Sequence, residues 1–232
     1  MTLPGDSVDL PTQEEATGCP CWGPWQSLAF AVGIFAACEL LVSIVLGGLL
    51  LSLPQVFPSL VHRPSPLDPW VEEAGLLSLL TPTKLLLGLV LFVIVARLRG
   101  TTFARYYAVR LPSGGTAKAE WLLAALVLSV CMDLLRVSTG RPLLPDWVTG
   151  LYTHAPSLPL LFVAVVVAAP LYEELLFRGL LLPGLANSPL GSRWSVVVTS
   201  AIFALVHFQY DPYDMLNVFA LGVFLGAARV LT

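Results

Sequence analysis

Long apolar runs decide what this chain can fold into. Leu28–Leu53 carries Glu39 as its one charged side chain, and Leu76–Ala96, Trp121–Leu135, Leu158–Leu182, Trp194–Phe208 and Met215–Leu231 repeat the pattern. A bilayer core takes about 20 predominantly apolar residues per helix, with a working range of about 17–25. The third and fifth runs are shorter, which predicts that they tilt into the protein or lengthen at their ends. Composition agrees: 56% of residues are hydrophobic and 12% charged, against about 25% charged in a soluble domain. So apolar a chain has too little polar surface for a water-facing globule, and disorder needs the opposite composition. A net charge of −3 leaves no basic face for nucleic acid. The expected fold is all-α, a polytopic membrane helix bundle of about six transmembrane helices.

The expected organisation is a polar N-terminal tail over 1–26, N-terminal membrane helices and loops over 27–157, and a core over 158–232 that is C-terminally incomplete. The tail has no Lys or Arg, so it lacks the positive region of a secretory signal. Cys19 and Cys21 read as free thiols, and Cys38 and Cys131 as packing residues. Trp22, Trp25, Trp70, Trp121, Trp147 and Trp194 all fall near span edges, where indole rings anchor at the headgroups. Arg97, Arg99, Arg105, Arg110 and Lys118 cluster after the second run, which predicts a cytoplasmic loop and N-terminus. Pro54–Gly75 and Val137–Ser157 read as external loops. Gly222 and Gly226 in the last span read as a close helix-packing pair.

Ionisable groups in hydrocarbon cost several kcal/mol and ask for a partner or a purpose. Glu39 and Lys84 are expected to pair across the first two spans, or the lysine to snorkel. Asp133 and Arg136, three apart, are expected to pair near a span edge. The segment Pro170-Leu171-Tyr172-Glu173-Glu174-Leu175-Leu176-Phe177-Arg178 differs, because it places adjacent carboxylates inside an apolar helix. Glu174 and Arg178, four apart, share a face, whereas Glu173 lies about 100° round the helix. That division gives support to Glu174 and Arg178 and general-base chemistry to Glu173. One helix on, Phe203 and His207 also share a face. An imidazole there can hold a catalytic water, ligate a metal or stabilise an oxyanion.

Glu173-Glu174-x-x-x-Arg178 followed by Phe203-x-x-x-His207 resembles the paired motifs of the CAAX-processing and bacteriocin-processing (CPBP, or Abi) intramembrane endopeptidases. The resemblance covers the last third of the chain. It implies Glu173 as the base that activates water and His207 as the second catalytic group, with Glu174, Arg178 and Phe203 supporting. It implies either a metal-free glutamate mechanism or a divalent metal such as zinc. The family's third motif, His-x-x-x-Asn or His-x-x-x-Asp, is not reached by Thr232. A truncated chain, a non-catalytic homologue, or completion by Asn217 or a partner remain open. The implied activity is hydrolysis of a peptide bond in a membrane-associated protein or peptide, in contact with lipid; the short chain and its alanine- and leucine-rich spans point to a bacterial inner membrane. The alternative is a non-catalytic membrane homologue acting in immunity or partner binding. By the predicted topology Glu173 lies in the cytoplasmic half of its span and His207 near the outer end of the next. The two would meet only if a helix breaks near Pro170 or tilts steeply.

Overall fold

The computed structural model describes residues 21–56, 69–108 and 115–231, so Cys19, His62, Asp68 and Arg110 lie outside the described residues. Among these residues every regular element is helical. We label them α1 (Pro24–Val56), α2 (Pro69–Leu98), α3 (Phe103–Tyr106), α4 (Gly115–Ser138), α5 (Asp146–His154), α6 (Leu158–Ala186), α7 (Gly191–Leu205) and α8 (Pro212–Leu231). Five helices are long and apolar enough to cross a bilayer: α1, α2, α4, α6 and α8; α7 is a shorter apolar helix. The protein is an all-α polytopic membrane bundle.

The runs explain most of these bounds. The third run lengthens at both ends, α4 reaching from Gly115 to Ser138. The first two extend into the Pro54–Gly75 segment, so its ends are helical rather than loop. The connection after α4 also folds, as α5, because Trp147, Leu151 and Ala155 form an apolar face packed on Leu77 and Leu161. The α6 stretch changes winding twice. Val163–Ala168 and Glu174–Leu181 are π-helical, and the first π turn immediately precedes Pro170, whose missing N–H already denies the ladder one bond.

α6 is the axis of the bundle. Leu175, Leu176, Phe177, Leu180 and Leu181 are buried with Ile34 and Cys38 of α1, Phe92 and Val95 of α2, Tyr106, Tyr107 and Phe203. On α8, Gly222 and Gly226 face Ser200 and Val196 of α7; an added Cβ would come within 3.0 Å and 2.9 Å of them. The glycine pair is thus a helix-packing pair. α4 sits outside this core. Leu122, Leu126, Val130 and Leu134 are exposed, and only 6% of its span is buried, as befits a lipid-facing helix.

At the far end of α4 one expected pair is replaced. Arg136 is buried and does not pair with Asp133. Its Nε donates to the Pro142 carbonyl at 2.6 Å, and its guanidinium pairs with Asp214 in the first turn of α8. The chain turns back after Ser138 and brings α8 alongside, so both acceptors are nearer than the next turn of α4.

Candidate active site

The meeting of Glu173 and His207 follows from helix length. At about 1.5 Å per residue, Glu173 stands ~20 Å from the Ala186 end of α6, and the whole of α7 rises ~21 Å from Gly191 before it stops. The two helices are joined by a short turn at Asn187–Leu190. The residues after α7 therefore come level with the middle of α6, and His207 is not at the outer end of a full span. Glu173 Oε1 and His207 Nε2 lie 3.9 Å apart. No break at Pro170 is needed, since α6 stays helical through it.

The imidazole is oriented by its own helix end. Its Nδ1 lies 2.7 Å from the Phe203 carbonyl, an acceptor, so Nδ1 carries the proton and donates it. Nε2, on the other side of the ring, faces Glu173. The Phe203 and Tyr210 rings flank the imidazole, with centroids at 4.9 Å and 5.5 Å.

Glu174 and Arg178 occupy a different face. Arg178 Nε lies 3.7 Å from Glu174 Oε2, with the arginine 4% exposed and the glutamate 44%. Arg178 also donates to the Gly222 carbonyl at 3.4 Å and lies over the Phe203 ring at 4.4 Å. One guanidinium thus ties α6 to α8 and to the ring beneath His207.

Glu173 and His207 open onto a cavity of about 340 Å³. Its polar wall adds Gln209, Tyr210, Thr81, Glu39 and Lys84, and Trp147 closes one side, stacked on Tyr210 at 5.1 Å. Burial pushes the Tyr210 phenol above its ordinary value, with the Glu173 charge adding to the rise, so it stays protonated. Trp147 had read as a headgroup anchor, and no sequence signal set it apart from the other five tryptophans. The Glu39–Lys84 pair was visible as a pair, at 2.6 Å, but not as part of this cavity. Asn217 does not line it. His154 lies on α5, its Nδ1 2.9 Å from the Gly150 carbonyl. The donor set does not suit zinc, which takes at least three protein ligands. Among the described residues no three His, Cys, Asp or Glu side chains gather as a metal site.

Comparison with known proteins bears on the same region. Residues 155–232 match the family model described as type II CAAX prenyl endopeptidase Rce1-like. An uncharacterized 24.3 kDa protein of Escherichia coli is 30% identical over 115 residues, covering 47% of this chain and 52% of that protein. The chain thus spans about half the length of the curated relative it matches. No solved structure matches the chain. The matched segment contains both motifs, so residues 155–232 are similar to the type II CAAX prenyl endopeptidase Rce1-like family over the stretch that carries Glu173, Arg178, Phe203 and His207.

Proposed function

We propose that the chain is an intramembrane endopeptidase in which the Glu173 carboxylate activates a water molecule. The observation that carries this reading is the 3.9 Å approach of Glu173 Oε1 to His207 Nε2 on the wall of one cavity. That separation is too long for a direct hydrogen bond and suits a water bonded to both groups by ~2.8 Å legs. Glu173 takes one proton from this water while Nε2 accepts a hydrogen bond from the other. The hydroxide so formed adds to the peptide carbonyl carbon. Glu173 then returns the proton to the amide nitrogen as the C–N bond breaks, giving a carboxylic acid and an amine, and the acid's proton passes to the amine to leave a carboxylate and an ammonium. With Nδ1–H held by Phe203, His207 serves as an acceptor that aims the water rather than as an oxyanion donor. Glu174 and Arg178 hold the helix face that presents Glu173.

The substrate class is a membrane-associated protein or peptide. The arginines at 97, 99 and 105 support a cytoplasmic N-terminus, and residues 158–232 support assignment as the catalytic core. The test is cleavage of such a peptide by full-length protein in nanodiscs. Glu173→Gln and His207→Ala should each lower the rate by at least ~10²–10⁴-fold with unchanged helicity and melting. Activity surviving in either variant removes the assignment and favours a non-enzymatic membrane homologue.

A further inference from the structure

Lys84 is the only cation lining the cavity of Glu173 and His207, among the described residues. It sits inside the apolar span Gly75–Leu98, about 13 Å of helix from its first residue and about 21 Å from its last. Both are beyond the reach of a four-carbon side chain, so the ammonium does not snorkel to a headgroup layer. Nor is it sealed in packing. Its side chain is 26% exposed and that of its partner Glu39 42%, and both face the cavity. An ammonium carries three donors, and the 2.6 Å bond to Glu39 Oε1 takes one.

Its depth matches that of the reacting pair. Gly88, one helical turn beyond Lys84, is where α2 closes on α6: an added Cβ would lie 2.7 Å from the ring of Tyr172, the residue before Glu173. Lys84 and Glu173 line the same cavity on either side of this close approach.

We propose that Lys84 is the receptor for the free C-terminal carboxylate of the substrate, with Glu39 holding the ammonium toward the cavity. The proposal rests on the peptidase reading for the nature of the substrate, but binding alone tests it. Charge-assisted bonds between ammonium and carboxylate are strong where water is scarce, and a peptide amide offers no charge to meet. The carboxylate is favoured over a lipid phosphate because Lys84 opens to the cavity that holds the hydrolytic pair.

The test uses the full chain carrying Glu173→Gln in nanodiscs of zwitterionic lipid, with one prenylated peptide prepared as the free acid and as the C-terminal amide. The acid should bind about tenfold or more tighter than the amide. Lys84→Met should erase that preference, and Lys84→Arg should keep it. Glu39→Gln should tighten binding of the acid alone, since it removes a competing anion. Should Lys84→Met fail to fold, the double variant Glu39→Gln/Lys84→Met removes both charges together and is read in the same way. Equal binding of acid and amide, or a preference that survives loss of the lysine, overturns the proposal; loss of the preference only when anionic lipid is added shows a lipid phosphate at the site and also overturns it. If the preference holds while the unmodified chain cleaves neither peptide, the peptidase reading fails and the anchor stands.

Discussion

Two neighbouring carboxylates end in different surroundings because one residue of helix turns the side chain by about 100°. Glu173 faces the cavity and the imidazole, and Glu174 faces Arg178. That separation was legible in the sequence, since it needs only the 3.6-residue period and the identity of the residue four places on. The bonds of Arg178 across the bundle were not legible, because the Gly222 carbonyl belongs to a helix more than forty residues away. They make Arg178 the more demanding half of its pair. Arg178→Met should cost about 1–3 kcal/mol of stability, chiefly because it frees both the buried Gly222 carbonyl and the Phe203 ring. Glu174→Gln should cost less, since that side chain is partly exposed and the guanidinium keeps its other contacts. Thermal unfolding of the two variants in detergent should rank them in that order.

Among the elements, α7 and α8 form the most closely fitted pair. Glycines four apart on one helix meet Ser200 and Val196, four apart on the other. Gly226→Leu should overpack this seam and destabilise the protein by about 1–3 kcal/mol, measured as a lower melting temperature. The start of α8 is set by Asp211. Its Oδ1 accepts from the Asp214 and Tyr213 amides at 3.0 Å and 2.8 Å, and Arg141 pairs with the other oxygen. Pro212 follows in the first helical position, where its missing N–H is no loss. The Asp214 amide, then the Arg141 bond, hold the Asp211 carboxyl below its ordinary value. Its contribution is fully present above the unfolded pKa of about 3.9 and is lost as pH falls through the lower folded value. Melting temperature should therefore decline on acidification below about pH 4, and Asp211→Asn should flatten that decline. The apolar run had placed this start at Met215, because Asp211 to Asp214 carry no apolar stretch. The Arg141 and Arg136 pairings were not visible in the sequence, because both depend on how the 139–145 turn folds back.

At the scale of the molecule, the apolar runs foretold the bundle and its six apolar helices, five of them long enough to cross a bilayer, because hydrophobicity alone determines which segments enter lipid. They did not foretell relative depth, which depends on where each helix stops inside the bundle. α6 continues ~22 Å beyond Glu173 toward Leu158, whereas α7 ends beside that residue and α4 and α8 close the same side with the Arg136–Asp214 and Arg141–Asp211 pairs. Non-helical backbone at membrane depth is tolerated where it lines a wet cavity. The segment after α7 should accordingly be hydrated. With the native cysteines replaced, Gln209→Cys should react with a membrane-impermeant thiol reagent from one side of the bilayer, whereas Leu126→Cys on the lipid face of α4 should not. An unreactive Gln209→Cys would mean a dry site. On the proposed peptidase reading, a helix that stops half-way would make immersion itself a ruler for cutting. Only the stratum of a substrate that sinks to that level would then meet both reagent and solvent, so the position of the cut would be chosen by depth before any side chain is read.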